Sequence, residues 1–314
     1  MKWLAVVGMI LLFALPSFAQ SRTIAITFDD LPYAQDDRDD LALEQKTTAN
    51  MTAAVKKHHV PSVAFVNENK VIWHAGQIDA HVALLNQWMD AGAELGNHNF
   101  GHVGLTATPL AKAEDAVIQG EPIIRQLMEQ RGIHVRYYLQ PMMQTGPTAE
   151  IKAAFDKFLA DRGYTVAPFT IEDSDWTFSN AYGRAREKHD AALRARVRQA
   201  YLDYFDQMMD WFERVAHDTF GRDIAHIIIV HADEINGDCL EELLSRLEKR
   251  GYKFISLDEA LRDPAYQTPD GYIGKYGPSY LHRWRKALGK PNLLKDEPDP
   301  PKWVEELSKE RRGN

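Results

Sequence analysis

Short apolar runs alternate with amphipathic helical patterns along almost the whole of this chain, and that alternation limits the fold more than any other feature. Runs at 22–28, 63–66, 93–96, 134–139, 164–167, 225–230 and 252–256 read as buried strands. Between them, apolar residues recur three and four apart at 41–59, 78–92, 109–131, 148–159 and 239–250, with a last helical turn at 257–261. The longest pattern, 184–220, puts Leu193, Val197, Tyr201, Phe205, Met208, Phe212 and Val215 on one face and predicts a single long packing helix before the sixth strand. Alternating strand and helix predict a parallel sheet covered by helices. The expected fold is α/β: a distorted TIM-like (β/α) barrel of about seven strands, with a doubly wound sheet as second choice.

In such a barrel, chemistry gathers at the C-terminal ends of strands. The first strand ends in Asp29-Asp30 before Pro32. Two acids there fit either a solvated Asx turn or a pair compensated by a metal or a catalytic task. The third strand runs into Asn97-His98-Asn99-Phe100-Gly101-His102. On a helical turn, His98 and His102 would project from one side, as one metal ion requires. An acid from the Asp pair would add a third ligand and leave the coordination open, which marks catalytic rather than structural metal. The sixth strand ends in His231.

The remaining features bound the function. Lys2, the apolar run Trp3–Leu15 and the small residues Ser17 and Ala19 predict an export signal at 1–19, cleaved after Ala19. That run is too short for a comfortable membrane span. The protein is therefore expected to be secreted into a periplasm, with no stable membrane insertion. A domain over 20–289 is expected, then a loosely ordered tail at 290–314, where Pro291, Pro298, Pro300 and Pro301 stand among charges. A net charge of −8 argues against nucleic acid as a partner. The single cysteine, Cys239, cannot form an internal disulfide, and with Glu241 and Glu242 nearby it reads as a packed residue rather than a nucleophile.

Thr27-Phe28-Asp29-Asp30, then His98-Asn99-Phe100-Gly101-His102, then a strand ending in His231 resemble the polysaccharide deacetylases with a NodB-homology domain, carbohydrate esterase family 4. Glu94-Leu95-Gly96-Asn97 and the stretch 251–260 fit the same family, and the resemblance covers roughly residues 22–262. It implies that Asp30, His98 and His102 bind a divalent metal, usually zinc, with Asp29 as general base and His231 as general acid. Ile228 falls at the family's acetate-methyl pocket. Asp173-Ser174-Asp175-Trp176 resembles the segment whose acid tunes the base and whose Trp walls the groove. One motif departs: Leu139 stands where relatives carry an arginine that pairs with the base, and Met142 where they carry an aromatic residue. Arg136 cannot substitute, because an offset of three along a strand points to the other face. Without that cation, Asp29 is expected to hold its proton to higher pH.

The expected partner is an acetylated glycan and the expected reaction is removal of its N- or O-acetyl groups. The alternative is a catalytically weakened, metal-containing glycan-binding barrel, favoured by the missing arginine. An iron oxygenase would also use two His and one carboxylate, but those usually sit on all-β folds. The nine other histidines have no assigned ligand role, and Tyr280, His282 and Trp284 are assigned to packing.

Overall fold

The computed structural model of the protein describes residues 22–34 and 40–310. The expected export signal, residues 35–39 of the acidic loop after Pro32, and residues 311–314 of the expected tail lie outside them. Seven strands form one parallel sheet: β1 (Thr23–Leu31), β2 (Ser62–Val66), β3 (Glu94–Asn97), β4 (Tyr137–Tyr138), β5 (Thr165–Val166), β6 (His226–His231) and β7 (Lys253–Phe254). The order is β5-β4-β3-β2-β1-β6, with β7 paired to Thr23 and Ile24 of β1. The chain after β5 closes the curl. Ala167 N donates to Tyr138 O at 2.8 Å, and Thr170 N and Ile171 N donate to Ile227 O of β6 at 2.8 and 3.1 Å. The result is the expected distorted barrel.

The helices of the first half are α1 (Leu41–Lys57), α2 (Glu68–Ile72), α3 (Ile78–Asp90), α4 (Leu110–Gln119), α5 (Pro122–Glu129) and α6 (Ala149–Asp161). Those of the second are α7 (Asp175–Glu187), α8 (Ala191–Phe220), α9 (Glu234–Lys249), α10 (Leu257–Leu261), α11 (Tyr280–Ala287) and α12 (Lys302–Lys309). No helix among the described residues is long and apolar enough to cross a membrane.

The pleat sorts the core into two layers, because successive side chains on a strand point to opposite faces. Ala25, Val63, Phe65, Leu139, Ile227 and Ile229 fill the barrel interior. Ile24, Ile26, Phe28, Ala64, Ile228 and Val230 pack outward with the helix side chains.

Several elements differ from the sequence pattern for identifiable reasons. The 184–220 pattern is two helices: His189 is left-handed (φ 53°) and Asp190 caps α8, accepting from Leu193 N at 2.8 Å. The 109–131 pattern is likewise α4 and α5, parted at Gly120 and Pro122. A Cβ on Gly120 would come within 2.9 Å of the backbone of Asn99 and Phe100, so only glycine lets the histidine-bearing loop pack there. Helix α9 starts at Glu234, well before Cys239, because Asp233 caps it by accepting from Asn236 N at 3.0 Å. Cys239 is fully buried, and burial pushes its thiol up to about 12, so it is inert. The C-terminal stretch, expected to be loose, carries α12, which packs on α7. Val304 and Leu307 are buried there, and the Trp303 ring lies 4.1 Å from the Arg196 guanidinium carbon. A turn's worth of apolar residues outweighs the prolines around it.

Candidate metal and acid–base site

Asp29 and Asp30 are chain neighbours, and on a regular strand they would face opposite sides. Here the β1–β2 register shifts between Phe28 and Leu31, and Asp30 adopts a left-handed backbone (φ 62°). That bulge lets both carboxylates line the same cleft.

The histidines come from the loop after β3. This is not the helical turn their spacing suggested. Asn99 (φ 55°), Gly101 (φ 84°) and His102 (φ 53°) are all left-handed, and asparagine side chains hold the loop. Asn97 Oδ1 accepts from Asn99 N at 2.7 Å, and Asn99 Nδ2 donates to Val103 O at 2.8 Å. Asn67, at the end of β2, donates to His98 O at 2.7 Å. The outcome still brings both rings together, with centroids 5.0 Å apart.

Asp30 Oδ1 lies 3.7 Å from His98 Nε2 and 3.7 Å from His102 Nε2, and one atom from each residue falls within 4.8 Å of the others. Tetrahedral ligands at 2.0–2.1 Å from zinc stand roughly 3.4 Å apart, so the two Asp30–histidine separations need contract by only a few tenths of an ångström to share an ion. Buried Asp30 Oδ1 and His98 Nε2 have no hydrogen-bond partner. Orphaned acceptors of this kind are costly unless a cation meets them, so the residues fit a divalent metal. His98 Nδ1 lies 2.9 Å from Leu139 O; donating there leaves Nε2 as a lone-pair ligand. Burial, helped by neighbouring His102, lowers the His98 pKa to about 3, so the ring is neutral as coordination requires. Burial alone would raise Asp30, but Lys70, His102 and His98 hold it below the ordinary carboxylate range.

Asp29 and His231 are register partners on adjacent strands, and Asp29 Oδ2 lies 3.4 Å from His231 Nε2. Burial pushes the Asp29 pKa up to about 8; His231 opposes this, while Asp30 and Asp175 add to it. On the far side of the ring, His231 Nδ1 meets Asp175 Oδ1 at 2.6 Å. Asp175 Oδ2 also accepts from His231 N and from Asn236 Nδ2, each at 2.7 Å. Burial disfavours a charged imidazole, yet Asp175 and Asp29 outweigh it and hold the His231 pKa well above its usual value. Asp175 thus supports the histidine opposite the base rather than the base itself.

The other predicted residues fall into three groups. Trp176 and Leu139 line the cleft, Trp176 at 55% exposure. Asp173 does not line the cleft; it is buried behind it, accepting from Tyr201 Oη at 2.9 Å. Ile228 is corrected to Ile229. An offset of three from His231 turns Ile228 outward into the helix layer, whereas Ile229 shares the cleft face. Arg136 points away as expected, bonded to Glu94 at 2.8 Å.

Sequence reasoning missed Lys70. Its ammonium, on α2, lies 3.6 Å from Asp30 Oδ1 and donates to Tyr33 O at 3.2 Å, so a cation reaches the acid pair from a different strand end than the absent arginine would have used. Asn236 was missed too, although an Asp cap at 233 followed by Asn236 was a visible sign of an earlier α9 start.

The whole cleft holds about 580 Å³. The strand ends of this barrel thus present an Asp pair, two histidines and a third histidine facing the first aspartate. The sequence model described as polysaccharide deacetylase matches residues 19–158. Peptidoglycan-N-acetylmuramic acid deacetylase PdaA of Bacillus subtilis is 22% identical over 250 residues, 80% of this chain and 75% of that protein. BA3943 of Bacillus anthracis, a CE4 family pseudoenzyme, superposes with TM-score 0.52 at 15% identity, over 77% of this chain and 66% of that one. A BA3943 mutant with restored enzymatic activity gives TM-score 0.52 at 16% identity, over 77% and 68%. At such identities the superpositions speak for the fold alone. The chain is thus similar to polysaccharide deacetylases, over residues 19–158 by the family model and over 250 residues by PdaA.

Proposed function

We propose that the protein is an exported, metal-dependent hydrolase that removes acetyl groups from an N-acetylated, or O-acetylated, glycan. The carrying observation is the 3.4 Å approach of Asp29 to His231 beside the Asp30–His98–His102 corner. Asp30, His98 and His102 would hold the metal, with zinc the best match to one carboxylate and two imidazoles. When bound, such an ion supplies positive charge that polarises the acetyl carbonyl and acidifies water.

The residues of this chain then divide the proton work. Asp29, with its raised proton affinity, takes a proton from the attacking water as the new C–O bond forms. His231, kept protonated by Asp175, delivers its Nε2 proton to the departing nitrogen as the C–N bond breaks, so that a neutral amine leaves. Asn236 and Asp175 fix the ring so that Nε2 faces the cleft. Ile229 supplies an apolar wall beside the acetyl group, and Trp176 a surface for the sugar ring. The predicted leader at 1–19 supports a periplasmic location, where peptidoglycan or a secreted polysaccharide is within reach.

The test is acetate release from N-acetylglucosamine oligomers by zinc-loaded protein, with Asp29→Asn as control. Release that is lost in the variant is expected. Equal release by both proteins, or none from any acetylated glycan, contradicts the reading. Leu139 in place of the arginine favours the second reading, a glycan-binding barrel with weakened catalysis, and binding without turnover in this assay would select it.

A further inference from the structure

The wall opposite the metal corner is not made by strands β1 to β3. It comes from the connection before α7 and from the chain after the last strand, where Tyr276, Glu297 and Asp299 line the cleft. This segment is built in. Tyr204 Oη donates to Pro298 O at 2.8 Å, and His282 Nε2 meets Glu297 Oε2 at 2.8 Å. Buried Arg283 donates to Met143 O at 3.2 Å and to Pro278 O at 2.9 Å, which pins the segment to the cleft floor.

Glu172 lies beside Glu297. Burial first, then the Glu297 and Asp175 carboxylates, push its pKa up to about 7. The cleft therefore carries five carboxylates: Asp29, Asp30, Glu172, Glu297 and Asp299. Among the described residues lining it there is no lysine or arginine. Lys275 is not among the lining residues; its ammonium lies 5.3 Å from the Tyr276 ring centroid. A metal ion would offset the two acids of its own corner and leave Glu297, Asp299 and, above about pH 7, Glu172 as charges facing the ligand. That a ligand belongs here rests on separate evidence: Asp29 Oδ1 and His98 Nε2 are buried without hydrogen-bond partners, and both residues line the same cleft.

We infer that this acidic wall selects the glycan by charge. The protein acts on N-acetylglucosamine-type chains that are neutral or carry free amines. It discriminates against chains bearing carboxylates, such as uronic acids or the lactyl ether of muramic acid. The inference rests on the deacetylase reading and adds the substrate class to it. Like charges brought together in a partly enclosed cleft repel, and an ammonium on a neighbouring sugar would be attracted by the same groups.

The test uses zinc-loaded full-chain protein and three tetrasaccharides: all N-acetylglucosamine, the same with one free amine, and alternating N-acetylglucosamine and glucuronate. At low salt, kcat/KM for the first two should exceed that for the third by about tenfold or more, and half-molar salt should narrow the gap. The double variant Glu297→Gln with Asp299→Asn should raise the anionic-to-neutral ratio about fivefold. Calorimetric binding of the same three should give the same ranking, independent of turnover. A preference for the glucuronate chain, an equal ranking, a ratio unmoved by the double variant, or binding of none would overturn the inference. A binding ranking that holds while no acetate is released would sustain the charge selection and sink the deacetylase reading.

Discussion

The two sides of the cleft are built by different means. The side with the candidate metal ligands is assembled from the ends of β1, β2 and β3, and each contribution is local: a bulge at Asp29–Asp30, an asparagine-clamped loop at 97–103, a short helix carrying Lys70. The far side is assembled over long sequence distances. His231 is oriented by Asp175 and Asn236, and the outer wall comes from residues beyond 270 tied to Tyr204 and Met143. Short loops on rigid strands suit chemistry that tolerates little displacement. A wall carried by a late segment can vary in charge and shape without disturbing that chemistry.

If this division is right, substitutions on the metal side should abolish turnover on every substrate. The largest effect is expected for Asp29→Asn, a loss of roughly 10²–10⁴ in kcat with zinc affinity kept. A comparable loss of zinc in that variant, read by metal analysis, would mean that Asp29 is a ligand and not the base.

On the far side, Asp175→Asn should lower kcat about 10–100-fold, because it frees the His231 ring and removes the charge that keeps it protonated. The limb of the pH–rate profile assigned to His231 should move to lower pH. An unmoved profile would reduce Asp175 to a packing role.

Leu307→Ala should destabilise the whole protein by about 2 kcal/mol, since α12 packs on the helix that begins with Asp175. A denaturation midpoint equal to wild type would show that the C-terminal segment is an appendage.

The smallest effect is a stability slope. Glu172 holds its proton in the folded protein up to about pH 7, well above its ordinary 4.5. The folded state binds more protons than the unfolded state between those values, so stability falls as pH rises through that window and is level above it. Glu172→Gln should remove this fall, a gain of about 1–2 kcal/mol at pH 8 after allowance for partial exposure. Parallel stability curves for the two proteins from pH 4.5 to 7 would exclude it.

The contrast between the two sides also explains what the sequence could disclose. Barrel class and the convergence of Asp29, Asp30, His98, His102 and His231 on one cleft were legible, because each lies at or just after a strand end and strand ends converge in this fold. The geometry of His98 and His102 was not: a four-residue spacing suits a helical turn, but Gly101 and two left-handed neighbours make it a loop. Ile228 was misplaced by overlooking the pleat, the same rule that correctly excluded Arg136. Lys70 and the acidic wall were invisible, because only tertiary packing places them. The break at His189 was hidden because apolar spacing continues through it, and only the Asp190 cap marks it.

The most direct test titrates zinc into chelator-stripped protein and follows bound metal and acetate release together. One equivalent should bind and restore activity in step, and His98→Ala should lose both. Activity that survives stripping, or one equivalent bound with His98 removed, would contradict the assignment of Asp30, His98 and His102 as the metal site.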